Sequence, residues 1–469
     1  MRRIVVIEMM LALSLAISMR EYEVRGRRLE VYDFREHVKP TRKKMDLSDL
    51  KLAFESRRGK SQKLAVLNKD SHFKVLTGCN RKVVLDGSNI LGLYNVLYYT
   101  GTPWILYVQI AHLSGKYLIP FIDWSSKECV IADDNLQPLW RIARNKPKDL
   151  RTEFSGYVQF RDGDNLYIAY MRQERHRFDR RHRLPIKTFF CLWDPVERKS
   201  LWEIESPGPL TLLKGVDVDG DGFEDIPVKR ENGENGFRVS GAVNIGRVQF
   251  WILDRYGNVF FRRTYWGLYA DVYAIPWDFD DDGIYELLVV NPLHYSFKNG
   301  SLEILDPREG LVLARREFEG ETPEVAYIAD LDRDGKDEII LGTSMGKLMV
   351  YDFALCPQKV KDLSFLFPEF SNDTLEQYMH VWPLQVCDFD GNGRNELLVA
   401  LQYIKYFYRS PRGSHNFEKP FVLLLDADLN VLRRWEDQYI GAICDLDGDG
   451  INELVLSGKK STQVWRFGL

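Results

Sequence analysis

The chain has 469 residues, of which 45% are hydrophobic and 28% are charged, so it can bury a large core and is not a disordered polymer. Its 64 basic and 68 acidic residues give a formal net charge of −4, which provides no general attraction for nucleic acid. The six cysteines form no CxxC pair, so neither a zinc knuckle nor a dithiol redox site is indicated.

The amino-terminal region is predicted to direct export. Residues 1–19 begin with two arginines and continue as an apolar run from Ile4 to Met19, as in a signal peptide or N-terminal anchor. Glu8 interrupts the run, and an ordinary buried strand or helix is the alternative. We expect an extracellular or cell-envelope location, with membrane contact only through this anchor. Residues 20–62 are polar and basic, and we interpret them as a linker, although Leu29–Phe34 is strand-like and could join the last repeat.

Residues 63–469 are interpreted as one repetitive domain. Five segments obey the pattern D-x-D-x-[DN]-G-x-x-[DE], and their first residues lie 61, 52, 58 and 57 positions apart. Such agreement at near-constant spacing indicates a tandem repeat. An eroded copy lies near Asp162. The segments begin at Asp217, Asp278, Asp330, Asp388 and Asp445.

Each repeat reads as four short strands separated by turns. In the third unit the expected strands are Val325–Ala329, Glu338–Gly342, Lys347–Phe353 and Leu363–Phe367. In the next unit they are Val381–Cys387, Glu396–Leu401, Phe421–Leu425 and Val431–Trp435. Units of this kind predict an all-β fold, a seven-bladed β-propeller of four-stranded antiparallel blades with calcium loops in the last five.

The last unit lacks a fourth strand before the chain ends. We expect residues from Lys63 to Asp86 to supply it, through Phe73–Leu76 or Lys82–Leu85, and so to close the ring. Closure would hide the sheet edges.

The acidic segments are predicted to bind Ca²⁺. Acids at positions 1, 3 and 5 of a turn converge, the glycine at position 6 permits the bend, and the acid at position 9 completes an all-oxygen shell. An EF-hand would need Glu at position 12, where this chain has apolar residues. The alternative is an Asx-rich turn that binds nothing. The candidate ligands are Asp217, Asp219, Asp221, Asp225; Asp278, Asp280, Asp282, Glu286; Asp330, Asp332, Asp334, Glu338; Asp388, Asp390, Asn392, Glu396; and Asp445, Asp447, Asp449, Glu453.

On these motifs the chain resembles the FG-GAP/VCBS repeat family, which includes the propeller of integrin α subunits. The resemblance covers residues 200–469, and it is nearer the VCBS type because the Phe-Gly and Gly-Ala-Pro signatures are mostly missing. It implies that each acidic loop joins the first and second strands of a blade and binds calcium.

A partner is expected on the face opposite the calcium loops. Arginine and aromatic side chains cluster in three predicted loops, residues 172–183, 403–409 and 291–299, and suit an acidic protein or glycan. A solvated charged loop is the alternative. The candidate partner-binding residues are Arg175, Arg177, Arg180, Arg181, Tyr406 and Tyr408.

The function predicted from these features is a monomeric binding or adhesion module and not an enzyme. No Walker loop, dinucleotide fingerprint or HExxH motif is present. The alternatives are a propeller-type polysaccharide lyase and a sensor or scaffold domain of an envelope assembly.

Overall fold

A computed structural model describes the backbone over most of the chain, and it describes most side chains only from Tyr167 onward. The described residues are 7–9, 17–24, 27–34, 50–55, 64–69, 72–77, 95–99, 111–113, 116–123, 128–132, 138–142, 150–162, 165–176, 187–194, 197, 199–206, 210–213, 215–231, 238–239, 242–243, 247–267, 270–280, 282–293, 299–367, 377–407, 415–444, 452–458 and 462–467.

The described chain is almost entirely β-strand. The strands before residue 109 are β1 (Ile7–Met9), β2 (Ile17–Val24), β3 (Arg27–Phe34), β4 (Leu50–Glu55), β5 (Leu64–Lys69), β6 (His72–Thr77) and β7 (Asn95–Tyr99). Six of these strands form one sheet in the order β1-β2-β3-β6-β5-β7. The chain divides into two compact units, one of residues 1–108, 325–352 and 356–469, and the other of residues 109–324 and 353–355.

The second unit consists mainly of four-stranded antiparallel sheets. Its strands are β8 (Ala111–Leu113), β9 (Lys116–Asp123), β10 (Glu128–Ala132), β11 (Pro138–Ile142), β12 (Leu150–Asp162), β13 (Asn165–His176), β14 (Lys187–Asp194), β15 (Lys199–Ser206), β16 (Leu210–Leu212), β17 (Ile226–Glu231), β18 (Arg238–Val239), β19 (Ala242–Val243), β20 (Arg247–Leu253), β21 (Val259–Trp266), β22 (Tyr273–Trp277), β23 (Glu286–Pro292), β24 (Asn299–Asp306) and β25 (Leu311–Glu319). They pair in the orders β11-β10-β9-β8, β12-β13-β14-β15, β16-β17-β20-β21 and β22-β23-β24-β25, with a separate β18-β19 ribbon.

The remaining strands continue the same arrangement. They are β26 (Pro323–Ala329), β27 (Glu338–Thr343), β28 (Lys347–Tyr351), β29 (Pro357–Asp362), β30 (Gln377–Cys387), β31 (Glu396–Phe407), β32 (His415–Leu425), β33 (Val431–Glu436), β34 (Gln438–Cys444), β35 (Glu453–Gly458) and β36 (Thr462–Phe467), with one 3₁₀ turn at Ser364–Leu366. The sheets are β26-β27-β28-β29, β30-β31-β32-β33 and β34-β35-β36-β4. The predicted all-β class is therefore confirmed.

Consecutive sheets pack face to face within each unit. In β31, Leu397 and Val399 face the core shared with β27 and β28, whereas Leu398 faces the core shared with β35. All three side chains are fully buried, so the strand is apolar on both faces. Burying one such leucine stabilises the fold by about 1.5–3 kcal/mol.

The fourth strand of a sheet is more exposed than the inner strands because it forms the sheet's outer edge. The β25 and β29 strands are mostly exposed and carry charged residues. In the third repeat this overturns the predicted fourth strand: Leu363–Phe367 contains the 3₁₀ turn, and the strand is Pro357–Asp362. Leu363 and Phe367 are buried in the core cluster of this sheet, which explains why the segment is apolar.

The last sheet is completed from the amino-terminal side, but by another segment than the predicted one. Strand β4, Leu50–Glu55, pairs antiparallel with β36, placing Phe54 opposite Val464. The predicted donor, Lys63–Asp86, instead contributes β5 and β6 to the six-stranded sheet. The linker interpretation of residues 20–62 is wrong at β4, and β2 and β3 also include residues of that range.

The predicted export segment lies partly within the described residues. Ile7–Met9 pairs with Met19–Glu21 at the edge of the six-stranded sheet. Within the portion of the chain that the structure describes, no helix has the length and apolar character needed to cross a membrane.

Candidate metal centres

The acidic segments all lie between the first and second strands of a sheet. We call them the first to fifth acidic loops; they precede β17, β23, β27, β31 and β35, respectively. This is the placement that the family resemblance implies. Position 12 of every loop is a buried strand residue, which agrees with the rejection of an EF-hand. These residues are Val228, Val289, Leu341, Val399 and Leu456.

The acid at position 9 fastens each described loop to its own start. Its carboxylate accepts a hydrogen bond from the backbone N–H at position 2. The donor–acceptor distances are 2.9 Å for Val218 to Asp225, 3.0 Å for Phe279 to Glu286, 2.8 Å for Leu331 to Glu338 and 2.7 Å for Phe389 to Glu396. A turn-forming sequence alone does not require an acid here, so this bond explains its recurrence.

The acid at position 1 organises the bend. Its Oδ2 accepts a hydrogen bond from the glycine N–H at position 6, at 2.8, 2.9, 3.0 and 2.9 Å in the first four loops. These glycines have φ between +84° and +90°, a left-handed conformation that L side chains rarely adopt. The side-chain oxygen at position 5 accepts the N–H at position 7 at 2.7–2.8 Å. Four separate segments therefore share one bonding pattern.

Within these loops the carboxylates converge. In each of the first four loops, three or four acids each offer one oxygen, and these oxygens lie within 4.8 Å of one another. The groups are Asp217, Asp219 and Asp225; Asp278, Asp280 and Asp282; Asp330, Asp332, Asp334 and Glu338; and Asp388, Asp390 and Glu396.

Two predicted ligands lie outside these acidic groups. Asp221 Oδ2 is instead 3.1 Å from Arg255 Nη2, and Glu286 is fastened to Phe279. Asn392 lies in the fourth loop, where its Oδ1 accepts the Arg394 N–H. In the fifth loop, Asp445, Asp447 and Asp449 lie outside the described residues. Glu453 is described, and its Oε1 is 3.3 Å from Arg466 Nε.

Two carboxylate oxygens support the fit of a cation. Oδ1 of Asp330 and Oδ1 of Asp388, both at position 1, are buried and have no hydrogen-bond partner. A buried acceptor left unsatisfied costs about 1–3 kcal/mol. A hard cation with oxygen ligands would satisfy it, and the absence of His and Cys from these groups favours Ca²⁺ over zinc or copper.

Burial and mutual repulsion disturb the acids of the metal-free loops. Burial, with a smaller contribution from neighbouring aspartates, raises the pKa of Asp225 to about 8 and that of Glu396 to about 7. The same causes raise the pKa of Asp219, Glu286, Glu338 and Asp390. A bound cation would offset the same repulsion, to which Arg255 and Arg333 already contribute positive charge.

Neighbouring loops are also linked by hydrogen bonds that the repeat pattern does not predict. Asn395 at position 8 of the fourth loop donates to the Asp330 carbonyl of the third loop at 2.7 Å, and its Oδ1 accepts from Arg333 Nε at 3.0 Å. Asn452, at position 8 of the fifth loop, lies 3.5 Å from the Asp388 carbonyl. The recurrence of Asn at position 8 in these two repeats is the signal that could have predicted the link.

The predicted partner-binding residues are only partly described. Arg175 lies in β13 opposite Arg151, and Tyr406 lies in β31 opposite Asn416, so both occupy strands where loops were expected. The predicted loop 403–409 is wrong over its first five residues, which continue β31. Arg177, Arg180, Arg181 and Tyr408 lie outside the described residues.

Comparisons with known proteins give only distant likenesses. No protein-family model matches the chain, and no curated protein is significantly similar to it. BamB from Moraxella catarrhalis is 12% identical with a TM-score of 0.40, covering 89% of this chain and 98% of that one. A rhamnogalacturonan lyase from Bacillus licheniformis is 12% identical with a TM-score of 0.38, covering 93% and 88%. The Dos1 propeller is 10% identical with a TM-score of 0.34, covering 90% and 96%. At such scores the fold class rests on the sheet topology of this chain.

Proposed function

We propose that this protein is a calcium-stabilised seven-bladed β-propeller that acts outside the cytoplasm as a binding or adhesion module for a protein or glycan partner. The observation that carries the proposal is the bonding pattern shared by four acidic loops. Each loop gathers carboxylates at the same place, between the first two strands of a four-stranded sheet.

The propeller assignment is supported by the sheets themselves. Within the described ranges, seven sheets are four-stranded and antiparallel, and the last is completed by β4 from far earlier in the chain. Sharing one sheet between early and late segments is a means of closing a ring of blades, and closure hides the edges that would otherwise aggregate.

Calcium would act as a structural staple in this proposal. The acids of positions 1, 3, 5 and 9 would hold it, and the ion would offset the repulsion that raises their pKa values. An ion at 100 times its Kd stabilises the native state by about 2.7 kcal/mol per site. Several such sites would account for a large part of the stability of a domain this size.

Chelation tests this role. Thermal unfolding should shift downward by on the order of 10 °C or more when EDTA replaces millimolar calcium, because several linked sites empty together. Restoring calcium should reverse the shift, and magnesium should substitute poorly because it demands a tighter octahedral shell. An unchanged melting temperature would reject calcium stabilisation.

The partner surface needs a separate test. Replacing Arg175, Arg177, Arg180 and Arg181 together by alanine should weaken binding to acidic glycans or acidic protein segments in a binding screen. Unaltered binding by this variant would show that the predicted arginine-rich segment is not the partner site.

A further inference from the structure

One face of the β16-β17-β20-β21 sheet carries a row of arginines among tryptophans. Residues directly opposite each other in an antiparallel pair share a face. Arg247 is opposite Trp266, Gln249 is opposite both Arg230 and Thr264, and Trp251 is opposite Arg262. We call these seven residues the arginine–tryptophan face.

The guanidinium groups lie over the indole rings. Arg230 Cζ and Arg262 Cζ are 5.2 Å and 5.0 Å from the Trp251 ring centre, and Arg247 Cζ is 5.6 Å from that of Trp266. Arg230 also donates from Nη1 to Gln249 Oε1 at 3.0 Å. These contacts hold the cations in place. Trp251 itself is 7% exposed and packs in the core with Met171 and Phe190, so an arriving anion would meet the exposed Arg247, Arg262 and Trp266.

The cations of this face repel one another. Burial, followed by the charges of Arg247 and Arg262, lowers the pKa of Arg230. Among the residues that the structure describes, no carboxylate lies within ion-pair distance of Arg247 or Arg262, and both side chains are exposed. Arg247 and Arg262 are therefore available to an external anion.

On the opposite face of β21, a buried carboxylate neutralises the arginine. Arg263 Nε is 2.7 Å from Glu303 Oε2, and Arg315 Nη1 is 2.8 Å from Glu303 Oε1. Tyr265 donates to the same fully buried carboxylate at 3.0 Å. On one face of β21, Arg263 thus has a counter-ion within the protein, and on the other face Arg262 has none among the described residues.

We propose that the arginine–tryptophan face binds an acidic polysaccharide through carboxylates on successive sugars. Arg247 and Arg262 lie about 13 Å apart along the strands, a span suited to a chain with repeating charges and too long for one small anion. The Trp266 side chain is 61% exposed, so its flat ring is available to a sugar face. Planar guanidinium groups match carboxylates in a bidentate manner.

The position of this face agrees with the proposed function and deepens it by naming a ligand class and a second set of residues. Arg230 and Arg247 flank the β17–β20 connection, at the end of the sheet opposite the first acidic loop, which directly precedes β17. The inference rests on the proposed binding role, but calcium binding and sugar binding can fail independently.

Calorimetric titration with a defined oligosaccharide tests the inference. The probe is the hexamer of glucuronic acid that has the same linkage as cellohexaose, added to calcium-loaded protein dialysed free of excess ion. We expect the acidic hexamer to bind more weakly as salt rises, and cellohexaose, which lacks the carboxylates, not to bind. Failure of the acidic hexamer to bind, or equal binding of cellohexaose, would overturn the inference.

Variants locate the site. Arg247→Gln combined with Arg262→Gln should lower the affinity for the acidic hexamer at least about tenfold, because two charge-assisted bonds are lost. Trp266→Ala should lower it severalfold. The matched control is Arg308→Gln, an exposed arginine in the turn that follows β24, which should bind as the wild type does. Unchanged affinity in the double variant would place the binding elsewhere.

A single-stranded thymidine hexamer distinguishes a sugar site from a general anion site. Weak binding of this oligonucleotide supports a carbohydrate ligand. Binding as tight as that of the acidic hexamer, with the same loss in the double variant, would overturn the assignment to polysaccharides. Thermal shifts in EDTA, measured without sugar, report on the calcium proposal alone.

Discussion

The position-9 acid of the third acidic loop has two separable tasks. Glu338 accepts the Leu331 N–H at 2.8 Å, which requires an oxygen, and it joins the carboxylate group of the third loop, which requires a charge. Glutamine preserves the first property and removes the second. The pair of tasks explains why Asn and Ser, common in turns, do not appear at this position.

Substitution of Glu338 should separate these tasks. Glu338→Gln should change the unfolding free energy in EDTA by less than about 1 kcal/mol but weaken calcium binding at the third loop at least about tenfold. Glu338→Ala should cost about 1–3 kcal/mol even in EDTA, because the Leu331 N–H loses its acceptor. Urea unfolding and calcium titration measure the two effects, with exposed Glu309→Gln as the control. Equal behaviour of both variants in EDTA would contradict the account.

Proton competition gives a second prediction. Burial raises the pKa of Asp225 to about 8 and of Glu396 to about 7 in the folded metal-free chain, whereas both acids regain ordinary values on unfolding. The metal-free fold therefore loses stability as pH rises from about 4 to about 8, since ionisation is disfavoured only in the folded state. The difference in melting temperature between calcium and EDTA should grow from about pH 5.5 to about pH 8. A difference that shrinks over this range would contradict the prediction.

The acids of the loops could be predicted from the sequence because their spacing encodes a local turn. The links between loops could not, because Arg333 to Asn395 and Asn395 to Asp330 join residues of neighbouring sheets. Only the packing of those sheets brings such residues together.

At the scale of elements, apolar runs predicted the inner strands well and the edge strands poorly. The strands β27 and β28 are buried on both faces and read as continuous apolar segments. The edge strand β29 has the sequence PQKVKD, which is mostly exposed and resembles a loop. The apolar pattern predicts a strand in the segment after it, but there Phe367 packs edge-on against Phe421 with ring centres 4.5 Å apart.

The stability of the fold should therefore be sensitive to the loss of an apolar side chain in the second segment and insensitive to it in β29. Phe367→Ala should destabilise the fold by about 3–5 kcal/mol, because Phe367 is 1% exposed and its removal leaves a cavity. Val360→Thr, in the middle of β29 and 57% exposed, should change stability by less than about 0.5 kcal/mol. Denaturant midpoints measure both. A larger loss at Val360 would mean that the edge strand is misassigned.

The aromatic segment before Tyr408 also differs from its predicted structure, because it is a strand where a loop was expected. The sequence predicts a binding loop at Tyr403 and its neighbours, but Tyr403 is 1% exposed and donates to Gln377 Oε1 at 3.0 Å. Aromatic residues favour strands packed on both faces as strongly as they favour binding surfaces. The sequence pattern does not distinguish the two when a hairpin is long.

At the scale of the whole molecule, the strand that completes the last sheet could not be found from local pattern. β4 alternates Leu50, Leu52 and Phe54 with other residues, yet it lies within a basic stretch and pairs with a strand some 400 positions later. Such a non-local pairing is determined by the register of β36 and by the need to cover its edge.

Replacing Leu50–Glu55 by a Gly-Ser segment of equal length should expose that edge. We expect a lower melting temperature in calcium and loss of the near-ultraviolet signal of the Trp435–Trp465 pair, whose ring centres are 5.9 Å apart. The same replacement at residues 73–76, one of the two segments that the sequence predicted as the donor, should leave that signal intact. Retention of the signal in the first variant and loss in the second would refute the assignment of β4.

Equilibrium dialysis over a range of free calcium up to millimolar, made on the intact wild-type chain and on Glu338→Gln, counts the bound ions directly. Calcium stabilisation predicts one bound ion for each of the five acidic loops in the wild type, and it predicts that the third loop of the variant needs at least about tenfold more free calcium to fill. Recovery of no bound calcium from the wild type would contradict it.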